Sequence, residues 1–248
     1  MNEKVLYIEL TPQEFKERLA KAPIAYLPLG TLEWHGKHMP LGADGLISSG
    51  FFIELAQKVG GIVLPMLFLG PDNSKTIDGK EYYGMDIQSF PSHHPQQLLG
   101  SAYWVKKSLF KQIIAEILKQ LKRAGFKIVV AHGHDPSTMT FYQSSKKWRE
   151  EFDLELFTCW RNNESDGLGI QIDHAAANET SLMMGLRPEL VKIENLSKDM
   201  NEKPLGLDGK DPREFASPEE GKKIISLQVE RMAEILNKAL QKVSLNSH

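Results

Sequence analysis

Strand-like apolar runs alternate with helical segments along this chain, and no other sequence feature constrains the fold as strongly. Apolar runs typical of strands lie at residues 24–29, 61–67, 127–131 and 154–158. Segments with helical patterning lie at residues 48–59, 105–124 and 179–186. Strands that alternate with helices predict an α/β fold whose sheet is mostly parallel and covered by helices on both faces.

Two further helices are predicted from their first residues. Thr11-Pro12-Gln13-Glu14 has the pattern of a capping box with proline at the first helical position, and the helix should run to about Ala20. Ser217-Pro218-Glu219-Glu220 predicts a second capping box before a final helix that reaches about Val243. Residues 71–94 and 197–217 are rich in Gly, Pro, Asp and Asn, and we expect long loops there that are functional or mobile.

Composition limits the class of protein. The 248 residues are 41% hydrophobic and 25% charged, which suits a single globular domain over residues 1–248. A formal net charge of −2 without a basic patch argues against nucleic acid or membrane partners and favours a small-molecule substrate. The lone Cys159, the absence of a secretory signal and the lack of an apolar run of about 20 residues predict a cytoplasmic protein.

A dense polar cluster follows the first predicted strand and contains Glu33, His35 and Asp44. Ligands of open α/β sheets bind beyond the carboxyl ends of the strands, where this segment must lie. In an extended segment Glu33 and His35 point the same way and offer one oxygen and one nitrogen to a metal, and the two oxygens of Asp44 can bridge two cations. The alternative is that Glu33 and His35 are solvated loop residues.

Two more clusters have the same character. His132-Gly133-His134-Asp135 comes directly off a buried strand, although a simple turn with exposed histidines would also explain it. Asp173, His174 and Glu179 lie at a helix start, where the alternative is a capped helix with an acidic first turn. Trp160 is either a core aromatic or part of a lid. Nucleophile-elbow, phosphate-loop and zinc-protease motifs are missing, and Cys159 reads as an inert buried thiol.

These residues resemble the creatininase (creatinine amidohydrolase) family. The signature Pro-x-Gly-x-x-Glu-x-His-Gly-x-His with a later aspartate is matched by Pro28, Gly30, Glu33, His35, Gly36, His38 and Asp44. Val130 to His134 resembles the family's Asn-Gly-His after a central strand, and His174, Glu179, Thr180 and Ser181 resemble its His-x-x-x-x-Glu-Thr-Ser block. The three motifs span about residues 25–186.

The resemblance implies a three-layer α/β/α sandwich, a homo-oligomer that is a hexamer, and two divalent metal ions, which would be Zn, Mn or Fe. Carried over residue by residue, Glu33 and His134 bind one metal, His35 binds the other, and Asp44 bridges them. Glu179 completes the second site or supports catalysis.

Carried over in the same way, His174 acts near the substrate, and Trp160 flanks it. The sequence departs from the family pattern at His132, which replaces asparagine, and at Asp135 and Pro136, which replace two glycines or a tyrosine and a metal-binding glutamate. We therefore expect Asp135 to face the substrate and the second metal to be less fully coordinated. Ile170 stands in the place of a second flanking tryptophan, so creatinine should be a poor substrate.

The function implied is hydrolysis of a carbon–nitrogen bond in a small cyclic amide or formamide. A dinuclear site can lower the pKa of bound water from 15.7 toward about 7 and so produce hydroxide at neutral pH. His174 would shuttle the proton to the leaving group. Two alternatives stay open from the sequence: a hydrolase that opens an inositol-derived cyclic diketone, and a metal-stabilised binding protein without catalysis.

Overall fold

Helices and strands alternate along the computed structural model, which describes residues 3–88, 94–160 and 166–245. The helices are α1 (Pro12–Lys21), α2 (Ala43–Val59), α3 (Met85–Gln88), α4 (Lys107–Ala124), α5 (Asp135–Phe152), α6 (Ala177–Leu186), α7 (Pro212–Phe215) and α8 (Pro218–Leu245). The strands are β1 (Ile24–Leu29), β2 (Ile62–Val63), β3 (Ser74–Ile77), β4 (Lys80–Tyr83), β5 (Ile128–Gly133) and β6 (Glu155–Phe157). None of the described helices is long and apolar enough to cross a membrane.

The main sheet has the strand order β2-β1-β5-β6, and every pair of adjacent strands in it is parallel. The central strands β1 and β5 pair along their whole length, from Ile24 opposite Ile128 to Leu29 opposite Gly133. Both are buried at every residue, as expected for parallel strands covered on two faces. Strands β3 and β4 form a separate antiparallel hairpin.

Alternate side chains of the central strands enter two different apolar cores. Ile24 and Tyr26 belong to a core that includes residues of α2, α6 and α8. Ala25 and Leu27 belong to a second core, to which α4 and α5 contribute. The sheet therefore lies between two helical layers, which confirms the predicted three-layer α/β/α architecture with a mostly parallel sheet.

The structure differs from the predicted elements in several places. Helix α5 was not predicted, because much of its buried face consists of hydroxyl side chains, which do not give an apolar helical pattern: Ser137, Thr138, Thr140, Ser144 and Ser145. Helix α2 begins at Ala43 instead of Ser48, so Asp44 lies in a first helical turn. The predicted strand 61–67 is reduced to β2 and an isolated bridge from Leu67 to Leu29.

The predicted loop 71–94 contains the β3–β4 hairpin and α3, and its residues 89–93 lie outside the described residues. Of the two predicted capping boxes, the first is confirmed: Glu14 N donates to Thr11 Oγ1 (3.3 Å) and Thr11 N donates to Glu14 Oε2 (2.7 Å). In the second, Glu220 N donates to Ser217 Oγ (3.1 Å), but Ser217 N donates to Ser181 Oγ on α6 (3.1 Å). That helix start is thus tied to a neighbouring helix.

Candidate metal centre

Buried acidic and histidine side chains converge at the carboxyl ends of β1 and β5. Glu33 and His35 come from the segment after β1, Asp44 from the first turn of α2, His134 from the junction of β5 and α5, and Glu179 from the first turn of α6. All five are buried, and His35 is 0% exposed. A cavity of about 450 Å³ opens onto this cluster. The alternatives of solvated loop residues and exposed turn histidines are therefore wrong.

The cluster divides into two groups of potential metal donors, each with its donor atoms within 4.8 Å of one another. One group contains His35, Asp44 and Glu179, and the other contains Glu33, Asp44 and His134. Asp44 belongs to both. A further combination places His174 with Glu33 and His35.

The distances within these groups fit metal coordination better than hydrogen bonding. His35 Nε2 lies 3.6 Å from both Asp44 Oδ1 and Glu179 Oε2, and His134 Nε2 lies 3.7 Å from Glu33 Oε2. A hydrogen bond needs about 2.7–3.2 Å. Two ligands of one tetrahedral ion, each about 2.0–2.2 Å from it, lie about 3.3–3.6 Å apart. The spacing of these side chains is therefore that of donors around a cation.

Two buried polar atoms support the same conclusion. His35 Nε2 and Asp44 Oδ2 are inaccessible to solvent and have no hydrogen-bond partner among the described residues. Burying an unsatisfied polar group costs about 1–3 kcal/mol, so such atoms at the centre of a cluster call for a ligand. The donor set of imidazole nitrogens and carboxylate oxygens suits Zn, Mn or Fe. The residues present therefore fit divalent cations.

Hydrogen bonds fix the orientation of both histidines. His35 Nδ1 lies 3.0 Å from the Glu33 carbonyl oxygen, which can only accept, so Nδ1 carries a proton and Nε2 is the nitrogen that a cation could bind. His134 Nδ1 lies 3.1 Å from Ser137 Oγ. Its Nε2 lies 3.2 Å from Asp72 Oδ2, a carboxylate that was not among the predicted residues.

Asp44 and Glu179 are held by contacts that the sequence did not reveal. The Gln171 side-chain amide donates to Asp44 Oδ1 (3.1 Å) and to the Asp44 carbonyl (3.3 Å). Because both acceptors can only accept, this end of the amide is the nitrogen. Glu179 Oε2 accepts from Ala175 N (2.7 Å), and Asp173 accepts from the backbone N–H groups of Asn178 and Glu179 at the start of α6. The first turn of α6 is thereby locked in place.

His174 lies beside the cluster with one ring nitrogen engaged. Its Nε2 donates to the Trp34 carbonyl oxygen (2.8 Å), and its ring centre is 4.4 Å from that of His35. Burial, with the nearby His35, lowers the pKa of His174 to about 3, so the ring is neutral at pH 7. In that tautomer Nδ1 is a proton acceptor.

The buried side chains of the cluster shift one another's pKa values. Burial raises the pKa of Glu33 to about 7 and holds that of Glu179 well above its ordinary value. Burial alone would lower the pKa of His35, but Asp44 and Glu179 raise it to about 10. Burial would likewise lower the pKa of His134, but Asp72 and Glu33 raise it to about 9. Strongly shifted pKa values of this kind mark a candidate functional site, and a bound cation would take the place of the protons that these groups share.

The predicted substrate-facing residues lie in different settings. Trp160 lines the cavity, and its ring contacts those of His132 and Tyr142 edge-on at 6.3 Å. Asp135 lines the cavity at the start of α5 and is exposed. Ile170 is 2% exposed and packs in the apolar core with α2 and α8. It therefore offers no wall to a substrate.

Sequence reasoning missed Asp72 and Gln171. Asp72 lies in the segment that was expected to be a functional loop, but no spacing connects it with His134, which is 62 residues away. Gln171 has a backbone φ of +53°, which is uncommon for a residue other than glycine and was not visible in the sequence. His38, which shares the Glu-x-His segment, bonds Thr180 Oγ1 on α6 through Nε2 (2.9 Å) and so anchors that segment.

Comparisons with known proteins agree with this geometry. A creatinine amidohydrolase from Pseudomonas putida is 26% identical over 216 residues, which cover 79% of this chain and 77% of that protein. A creatininase variant solved in a Zn-Zn form superposes with a TM-score of 0.73 at 20% identity, covering 96% of this chain and 99% of its own. Creatininase solved with Mn gives a TM-score of 0.73 at 21% identity and the same coverage.

The family profile described as Creatininase, creatinine amidohydrolase, matches residues 8–236 and so takes in every element from α1 into α8, including both donor groups. With the fold, the clustered motifs and this match in agreement, the chain belongs to the creatininase family of amidohydrolases.

Proposed function

We propose that this protein is a dinuclear metal-dependent hydrolase that cleaves a carbon–nitrogen bond in a small cyclic amide. The observation that carries the proposal is the pair of buried donor groups that share Asp44, with His35 Nε2 and Asp44 Oδ2 lacking hydrogen-bond partners among the described residues. Only a carboxylate can give separate oxygens to two cations, because a neutral imidazole has a single lone pair.

Two divalent ions, Zn, Mn or Fe, would be held by the two groups. Glu33, Asp44 and His134 would hold one ion, and His35, Asp44 and Glu179 the other. When bound, such a pair supplies a water nucleophile at neutral pH and polarises the substrate carbonyl. The zinc and manganese forms of creatininase support this choice of metals.

His174 would carry the proton. Its Nε2 is committed to the Trp34 carbonyl, so Nδ1 is the atom that accepts a proton from the attacking water. The resulting imidazolium keeps its bond to Trp34 and returns the Nδ1 proton to the leaving nitrogen. The oxygen of the water thereby ends in the new carboxyl group, and the proton that His174 carried ends on the freed amine. Glu179 would assist through its carboxylate, which lies 3.6 Å from His35 Nε2.

The cavity suits a small molecule. Its volume of about 450 Å³ falls within the ordinary range of about 300–1,000 Å³ for small-ligand pockets. Trp160 would supply an aromatic wall, and Asp135 a hydrogen-bond acceptor at the mouth. None of the described residues that line the cavity is Lys or Arg, which favours neutral or cationic substrates over anionic ones.

The proposal also covers location and assembly. We expect a cytoplasmic enzyme built as one domain over residues 1–248, and a homo-oligomer that is a hexamer by family resemblance. Light scattering coupled to size-exclusion chromatography would measure the assembly, and a monomer at micromolar concentration would contradict the oligomeric part.

Metal analysis and a substrate panel test the function directly. Protein purified from metal-replete medium should contain about two transition-metal ions per chain. Members of a panel of small cyclic amides and formamides should be hydrolysed, whereas an inositol-derived cyclic diketone should not. Less than a tenth of an equivalent of metal would contradict the dinuclear site, and turnover of the diketone alone would favour carbon–carbon cleavage.

Creatinine belongs in the same panel as a specificity test. Because Ile170 is buried in the core, we expect no second aromatic face and poor turnover of creatinine. A kcat/KM of about 10⁴ per molar per second or more, which is ordinary enzyme efficiency, would refute this expectation.

A further inference from the structure

Asp72 brings a further carboxylate to the His134 side of the centre. It lies between β2 and the β3–β4 hairpin, and its side chain is 5% exposed. Its Oδ1 accepts from Asn73 N (2.7 Å), which orients the group. Its Oδ2 lies 3.2 Å from His134 Nε2, the ring nitrogen that faces Glu33.

Gly84 allows the Asp72 and Glu33 carboxylates to come this close. A Cβ atom at Gly84 would lie 2.6 Å from Asp72 Oδ2 and 2.6 Å from Glu33 Oε1, and its φ of +49° also favours glycine. Met85 N, the next backbone amide, donates to Glu33 Oε1 (3.3 Å). The base of the hairpin is therefore shaped around two carboxylates that approach the same imidazole.

The spacing and the charge both suit a ligand. His134 Nε2 lies 3.2 Å from Asp72 Oδ2, a distance that also allows a hydrogen bond, and 3.7 Å from Glu33 Oε2. Both values lie within about 0.1 Å of the edge of about 3.3–3.6 Å expected around a tetrahedral ion. The ionised carboxylate of Asp72, like those of Glu33, Asp44 and Glu179, would help to offset the charge of a bound dication.

We propose that Asp72 is a ligand of the ion held by Glu33, Asp44 and His134. The inference rests on the proposed two-metal function. It would add a fourth protein donor to the group of Glu33, Asp44 and His134, whereas the group of His35, Asp44 and Glu179 would keep three.

A functional asymmetry follows from this donor count. Catalytic metal sites keep an open position, while structural sites are closed by protein ligands. The ion held by His35 would therefore be the one that receives water and substrate, and the His174 ring centre lies 4.4 Å from the His35 ring centre. The ion held by His134 would bind more tightly and help to fix Asp44.

Titration of metal-stripped protein tests the assignment. Asp72→Asn keeps the shape and a hydrogen-bond acceptor but removes the charge, and the matched control is Asp78→Asn, an exposed aspartate at the tip of the same hairpin. With Zn²⁺ in a calorimeter, Asp72→Asn should weaken one of the two binding steps by about 100-fold or more, since even the loss of an outer-shell partner costs about 10–100-fold. The other step should change little, and Asp78→Asn should match wild type.

Two further measurements separate a ligand from a hydrogen-bond partner. Loading with Co²⁺ should give a visible absorption spectrum that changes in Asp72→Asn, because the number of ligands changes. In a His134→Ala background, which has already lost that ion, Asp72→Asn should have no further effect on metal binding.

Three results would overturn the ligand role: both Zn²⁺ steps within twofold of wild type, an unchanged Co²⁺ spectrum despite weaker binding, or equal loss from both steps. Circular dichroism checks that each variant is folded. A wild-type protein that binds no metal would instead refute the proposed function, and this is known before any substitution is made.

Discussion

The two ends of the parallel sheet are built in opposite ways. At the amino ends, α1 covers the residues that precede the strands: the Phe15 ring packs edge-on against Phe126 at 5.9 Å, and Arg18 donates to the Gly61 carbonyl. Apolar packing and satisfied hydrogen bonds dominate there. At the carboxyl ends, His35 Nε2 and Asp44 Oδ2 are buried with no hydrogen-bond partner in the described part of the chain.

The difference separates the sources of stability and of chemistry. Groups at the amino ends are paired within the chain, so their removal should lower the free energy of unfolding without changing ligand binding. Groups at the carboxyl ends are arranged for a ligand from outside the chain, so their removal should change metal content first. Substitutions at five residues test this division, in order of decreasing expected effect.

Asp44→Ala should have the largest effect. It removes a carboxylate from both donor groups, so metal content should fall from about two ions per chain to well below one, and hydrolysis should be lost. Elemental analysis and the amide assay measure this, and circular dichroism confirms folding because metal loss can also unfold a protein. A folded Asp44→Ala protein that retains as much metal as His35→Ala would show that Asp44 does not bridge.

His35→Ala and His134→Ala should each lose one ion. The first should keep an ion held by Glu33, Asp44 and His134. It should lose hydrolysis, because the ion with an open coordination position is the one that His35 would hold. The second should keep about one weakly held ion. Elemental analysis after dialysis against a mild chelator distinguishes the two variants. Equal metal retention and equal residual activity would contradict the asymmetry between the two groups.

Gln171→Met should have an intermediate effect. The substitution keeps the approximate length of the side chain but removes the amide that donates to Asp44, and loss of such an outer contact costs about 10–100-fold in metal affinity. Competition with a coloured chelator measures the affinity. Gln171→Glu, which replaces the donor by an acceptor beside Asp44, should be worse than Gln171→Met. Affinities within twofold of wild type in both variants would show that Gln171 does not position Asp44.

Thr11→Ala should have the smallest effect, and only on stability. It removes the side-chain half of the α1 capping box and should lower the free energy of unfolding by about 1 kcal/mol. Denaturant unfolding of the metal-loaded protein measures the change. Metal content and hydrolysis should match wild type, and a loss of metal in this variant would break the proposed division between the two ends.

Much of the fold could be predicted from the sequence because its determinants are local. The buried runs that became β1 and β5 and the capping box at Thr11 are short-range patterns, and the α/β architecture with a mostly parallel sheet is confirmed. The polar residues directly after those strands had to meet at one edge of the sheet, and the structure brings Glu33, His35 and His134 together there. Their roles as ligands stay predictions.

The rest depended on contacts between distant residues. Helix α5 buries a face rich in Ser and Thr, so its sequence lacks the apolar period that indicates a helix. Asp72 meets His134 across 62 residues of sequence, and Gln171 reaches Asp44 across 127 residues. Neither contact leaves a pattern in a single sequence.

Gly133 has a consequence for any redesign of this centre. A Cβ atom there would lie 1.7 Å from the Leu29 carbonyl oxygen, and the backbone φ is +143°. Any larger residue would force β1 and β5 apart at their carboxyl ends, where the polar segment after each strand begins. A mutagenesis library for new substrates should therefore vary cavity residues such as Trp160 and Asp135 and leave Gly133 fixed, because a side chain there would displace the segments that follow both strands.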